Sequence, residues 1–98
     1  MIKRFALLQT FVAVARAGKM KRAAQELALT PGAVSQRIRQ LEEAAGRRLF
    51  MRTPTGVELS AAGEAMFAAL AEPFRAIEGV DYELAGPSSR RVTVSTIP

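Results

Sequence analysis

The chain has 98 residues, 49% of them hydrophobic, a size that suits one small domain with an appendage rather than two full domains. It contains neither cysteine nor histidine, which excludes disulfides, cysteine or histidine metal sites, thiol nucleophiles and imidazole acid–base chemistry. The net charge of +5 is uneven: residues 1–60 carry eleven Lys and Arg against four Glu, a balance of +7, and residues 61–98 carry three Arg against five acids, a balance of −2. The basic part is the candidate polyanion surface.

No apolar run approaches the ~20 residues of a membrane span. The opening MIKRFALLQTFVAVARAG has the positive charge and apolar stretch of a signal peptide but reads better as an amphipathic helix over residues 2–17. Leu8, Phe11, Val12 and Ala15 form a 3.6-period stripe, and Gln9, Thr10 and Arg16 interrupt any signal-like core. Gly18 supplies the left-handed stop. A cytoplasmic protein is expected.

A short second helix is expected over 20–28, MKRAAQELA, with Ala23, Ala24 and Leu27 inward. Leu29 and Thr30 make the turn. The stretch 30–46, TPGAVSQRIRQLEEAAG, then starts with Thr30 as N-cap and Pro31 at the first helical position, where a missing N–H costs nothing. Val34, Ile38, Leu41 and Ala45 lie on one stripe, and the opposite side carries Gly32, Ala33, Gln36, Arg39 and Gln40 with no acid before Glu42. Gln and Arg can bond adenine and guanine edges bidentately, and small residues let the helix approach a major groove closely. An ordinary amphipathic surface helix or a structural helical hairpin shares the stripe. The tight turn, the cap and the polar N-terminal half together predict a helix-turn-helix.

RRLFMRTPTGVELS follows. Thr53-Pro54-Thr55-Gly56 is a turn sequence between short alternating runs, so a hairpin wing is expected. Arg47, Arg48 and Arg52 flank it, near the phosphates on either side of a groove; Arg47 and Arg48 equally suit a solvated helix C-terminus.

Ser60 can cap a longer helix over 61–84. Met66, Phe67, Leu70, Phe74, Ile77 and Leu84 follow 3–4 spacing, an apolar face larger than the domain can cover. A second copy is the expected partner, with folding back onto its own domain as the competing arrangement. Pro73 removes the bond to the Ala69 carbonyl and is expected to kink or divide the helix; Gly79 is a second weak point. After GPSS, the strand-like RRVTVSTIP has nothing to pair with and reads as the start of a further domain.

RAAQELALTPGAVSQRIRQLEEAAGRRLFMRTPTGVELSAAGEAM resembles the N-terminal domain of LysR-type transcriptional regulators. Ala23-Ala24, Leu27, Ala33-Val34-Ser35, Ile38, Leu41-Glu42, Gly46, Leu49-Phe50, Arg52, Leu59 and Ala62-Gly63 carry the match, within a resemblance covering residues 3–84. It implies a mainly α fold: a winged helix-turn-helix over 1–59, a linker and dimerisation helix over 60–84, and over 85–98 a linker with the first strand of an effector-binding domain. The implied function is sequence-specific binding of double-stranded DNA at an interrupted palindrome. The implied partners are a second copy through the linker helix, tetramers at full length, RNA polymerase and a small-molecule effector of the full-length protein; no cofactor is implied for this stretch. DNA-binding residues carried over by position or by exposure are Thr30, Pro31, Gly32, Ala33, Ser35, Gln36, Arg37, Arg39, Gln40, Arg52, Thr55 and Lys21, and dimerisation residues are Met66, Phe67, Leu70, Phe74 and Ile77.

Two departures stand out. Lys19 and Lys21 occupy the region where the family often caps the second helix with Ser or Thr, and with Arg22 they are offered to the DNA backbone instead. The wing tip lacks the Arg or Lys with which many members enter the minor groove, so weaker anchoring and no A/T-tract preference are expected. The alternatives are the winged helix of another family, such as the molybdate-responsive regulators, and a helical dimerisation module with an incidental basic surface. An enzyme has little support. Ser35 has no His or Lys placed to activate it, and the nine acids form no inward-facing pair.

Overall fold

The computed structural model describes residues 4–85 as three helices, a two-stranded antiparallel hairpin and a fourth, long helix. These are α1 Phe5–Ala17, α2 Met20–Leu27, α3 Pro31–Ala45, β1 Phe50–Thr53, β2 Gly56–Leu59 and α4 Ala61–Ala85, the winged helix-turn-helix plus long helix that the sequence predicts. The expected start of the first helix at residue 2, the GPSS linker and the expected strand in RRVTVSTIP lie outside the described residues.

Helix α1 ends at Gly18, whose φ of +75° and N–H bond to Val14 O close the last turn. Its buried residues are Thr10, Phe11, Val12 and Val14, whereas Leu8 and Ala15 of the expected stripe are only half-buried. The face is turned because α2, α3 and α4 all pack on α1, from more than one side. Thr10, expected as a polar interruption, is wholly buried. Its Oγ1 donates to Ala6 O at 2.8 Å, which hides the hydroxyl within the helix.

Helix α2 is one residue shorter than expected. Ala28 turns left-handed with φ +57°, and the Leu29 N–H reaches back to Ala24 O at 2.9 Å. A non-glycine residue in this conformation costs about 1–2 kcal/mol. Lys19 precedes the helix without a side-chain cap. In α3, Thr30 Oγ1 accepts the Ala33 N–H at 3.1 Å, Pro31 occupies the first turn, and Gly46 ends the helix at φ +70°. Val34, Ile38 and Leu41 are buried. Ala45, expected on the same stripe, is exposed, because the helix has there run past the core.

The hairpin pairs Phe50 with Leu59 and Thr53 with Gly56, leaving Pro54 and Thr55 as the turn. One side-chain contact and one backbone bond seat it. The Phe11 and Phe50 rings pack at 5.3 Å, and the Val57 N–H bonds Gly18 O at 3.0 Å. A Cβ at position 56 would run into Gly18 O, so glycine lets the wing lie on the α1–α2 turn.

Helix α4 begins where Ser60 Oγ accepts the Gly63 N–H at 3.0 Å and donates to Arg48 O at 2.6 Å. The Ser60 N–H also bonds Leu49 O at 2.9 Å. The expected division at Pro73 does not occur: α4 continues through it as one helix of 25 residues. Both sides of the proline are held by α1. Phe74, 6% exposed, stacks on Phe5 at 5.4 Å, and Arg16 pairs with Glu78 at 2.8 Å. The apolar series assigned to dimerisation therefore divides. Met66, Phe67, Leu70 and Phe74 pack on the domain's own core, as the competing arrangement has it. Ile77, Val80 and Leu84 stand exposed at 46%, 57% and 81%.

Candidate nucleic-acid interface

Burial of Val34, Ile38 and Leu41 fixes which side of α3 faces out. Thr30, Pro31, Gly32, Gln36, Arg39 and Gln40 are exposed, and Ala33 and Ser35 are half-buried at its edges. Among the described residues, the side chains of Gln36, Arg39 and Gln40 make no hydrogen bond or ion pair. Their donors and acceptors are open to a ligand. Arg37 differs from its neighbours: it is half-buried, and its NH1 lies 3.4 Å from Thr10 Oγ1 of α1.

Between α3 and the wing runs an open groove of about 610 Å³, lined among others by Ser35, Arg39, Arg47, Arg48 and Arg52. Glu42 and Glu43 also border it, yet Glu42 is turned to the protein. Its Oε2 accepts the N–H groups of Leu49 at 2.8 Å and Phe50 at 3.2 Å, with Arg48 Nε 3.9 Å away. Arg39, Arg47 and Arg52 have no acidic partner among the described residues. The groove is thus a concave wall of guanidinium groups beside an uncommitted helix face, an arrangement matched to a polyanion.

The Val57–Gly18 bond brings the start of α2 to the base of the wing. Met20 lines the groove, and Lys19, Lys21 and Arg22, its neighbours in sequence, are exposed. Thr55 sits exposed at the uncharged wing tip with Pro54. Of the assigned DNA-binding residues, Ser35, Arg39 and Arg52 line this groove, whereas Arg37 reaches Thr10 on α1. Sequence reasoning missed Thr10 and Glu42. A hydroxyl on the same helical face as Phe11 and Val14 was a usable signal for Thr10. For Glu42 the Leu41-Glu42 match marked the position but not its role, because its partners are main-chain groups seven and eight residues away. No described helix is long and apolar enough to cross a membrane.

The model of the family described as "Bacterial regulatory helix-turn-helix protein, lysR family" matches residues 5–64. The chain is 40% identical over 91 residues to the HTH-type transcriptional activator AmpR of Citrobacter koseri, covering 92% of this chain and 32% of that protein. It is 44% identical over 78 residues to the RuBisCO operon transcriptional regulator of Acidithiobacillus ferrooxidans, covering 80% and 25%. It thus spans a third or less of the length of these relatives. The crystal structure of a CbnR DBD–DNA complex matches with a TM-score of 0.67 at 31% identity, over 88% of this chain and 98% of that one. Full-length LysG from Corynebacterium glutamicum matches with a TM-score of 0.68 at 30% identity, over 83% of this chain and 28% of that one. Sequence and fold agree over the same helices and wing, and the chain belongs to the LysR family of bacterial helix-turn-helix regulators.

Proposed function

We propose that this chain is the DNA-reading part of a LysR-type transcriptional regulator that binds an interrupted palindrome as a dimer. The observation that carries this reading is the exposed face of α3, where Gln36, Arg39 and Gln40 have no partner among the described residues and stand beside an arginine-lined groove. That CbnR, a structural relative, has been crystallised on DNA supports the same use of the fold. Gln36 and Arg39 read base edges, Gly32 and Ala33 let the backbone approach, and Ser35 and Gln40 lie at the margins of the contact. Arg47, Arg48, Arg52, Lys21 and Thr55 set register on phosphates.

Dimerisation rests on the outer part of α4, where Ile77, Val80 and Leu84 are exposed on one side of the helix and offer an apolar patch to a second copy. The inner residues Met66, Phe67, Leu70 and Phe74 fix the angle at which that part leaves the domain. In the full-length protein a small-molecule effector, tetramer formation and contact with RNA polymerase complete the reading, and its place is the cytoplasm.

Selection of bound sites from a randomised DNA pool tests it. A dyad of two half-sites is the expected product; a pool that enriches no dyad refutes the proposal. A helical interaction module without DNA affinity predicts no retardation of any duplex even in dilute salt.

A further inference from the structure

Among the described residues, Thr10 is the buried polar side chain of the core, with no exposed surface, on a face of α1 otherwise made of Phe11, Val12 and Val14. Its hydroxyl proton is committed to Ala6 O at 2.8 Å, which leaves the oxygen as an acceptor. Arg37 reaches it from α3 with NH1 at 3.4 Å, a long bond that tethers the group without clamping it. The remaining guanidinium N–H groups find no acceptor among the described residues.

Helical geometry sets the direction of those donors. At about 100° per residue, Ser35 and Arg39 lie roughly 100° and 140° to one side of the buried Val34, and Arg37 lies about 60° to the other. The first flank faces the wing, since Ser35 and Arg39 line the α3–wing groove; Arg37 does not line it. A helix in a major groove is walled by two phosphate strands. Arg47, Arg48 and Arg52 lie toward the wall on the wing side, and Arg37 is a cation on the opposite flank.

We propose that Thr10 is a positioning residue for DNA binding: it holds one end of Arg37 on α1 and directs the free guanidinium donors to a phosphate on the groove wall opposite the wing. This rests on the DNA-binding reading above. It gives Arg37, one of the DNA-binding residues that the family resemblance implies, a register-setting role. Tethering matters because a freely rotating arginine loses side-chain entropy when DNA immobilises it, and a tethered one has lost part of it already.

The test measures affinity across salt concentrations for two probes, the duplex that the wild-type chain recovers from a randomised pool and a short mixed-sequence duplex. Each variant is assayed below its own melting temperature. Arg37→Ala is expected to weaken both probes about tenfold in dilute salt, to lower the salt slope by about one and to leave their ratio unchanged. Thr10→Val, which keeps the branched shape and removes the hydroxyl, is expected to weaken both about threefold, and Thr10→Ser to bind as wild type. In an Arg37→Ala background Thr10→Val is expected to do nothing further, whereas simple damage to the core would persist. A changed ratio for Arg37→Ala, or an equal Thr10→Val loss in both backgrounds, overturns the assignment. Failure of the wild-type chain to retard either probe overturns the DNA-binding reading itself.

Discussion

The carboxylate of Glu42 on α3 accepts the Leu49 N–H at 2.8 Å through the same oxygen that accepts Phe50 N–H at 3.2 Å. One side chain thus closes the loop that carries Arg47 and Arg48 and aims the first strand of the wing. The side chain is only 18% exposed, so removing it leaves two main-chain donors poorly solvated. Glu42→Ala is expected to cost about 2–4 kcal/mol, and Glu42→Gln, which keeps an acceptor oxygen, about 1 kcal/mol. Thermal denaturation followed by circular dichroism reads this as a midpoint lowered by roughly 4–8 °C per kcal/mol. Equal effects of the two substitutions would show that the bonds carry no weight.

Gln36 and Arg52 occupy different parts of the proposed interface and separate reading from anchoring. Gln36→Ala is expected to cost ~1–3 kcal/mol on the selected site and to relax discrimination at one base pair. Arg52→Ala is expected to weaken all duplexes alike and to reduce the salt slope by about one. Salt-titrated gel shifts on matched and random duplexes check both. Equal losses on the two duplexes for both variants would dissolve the division of roles.

Ala28 is the described residue with positive φ that is not glycine, at +57°, and it is exposed. Relief of that strain by Ala28→Gly outweighs the added flexibility of the unfolded chain. A stabilisation of roughly 0.5–1 kcal/mol is expected, visible as a higher urea midpoint with an unchanged slope. A lower midpoint would mean that the turn relaxes in solution.

The two halves of α4 are expected to respond differently to truncation. Phe74→Ala removes a ring stacked on Phe5 and should destabilise the domain by about 3–5 kcal/mol. Ile77→Ser and Leu84→Ser, at exposed positions, should leave the folding of the domain within about 0.5 kcal/mol and weaken self-association. Sedimentation equilibrium over a range of protein concentrations tests the second point. A dimer that survives both serine substitutions moves the seam elsewhere.

Elements whose causes are local were legible from the residues. Thr30-Pro31 starts α3, Gly18 and Gly46 end their helices, and Thr53-Pro54-Thr55-Gly56 turns the wing, because each depends on a few neighbouring main-chain groups. The matched motif supplied the order of the parts. Misses arose where distant groups decide. Pro73 lies within an unbroken helix because its neighbours are held to α1 through Phe5–Phe74 and Arg16–Glu78. Ala28 takes a glycine's conformation because the turn between α2 and α3 demands it.

Periodicity gave the apolar residues of α4 without saying which of them their own domain would use. The sequence by itself determined a basic, capped helix-turn-helix with a wing, since periodicity, caps and turns are properties of adjacent residues. Only the tertiary structure decided that Thr10 is buried against Arg37, that Glu42 serves the loop into the wing, and that the open apolar face of α4 begins at Ile77. Those outcomes depend on which surfaces meet when the helices pack, and no single stretch of chain contains that information.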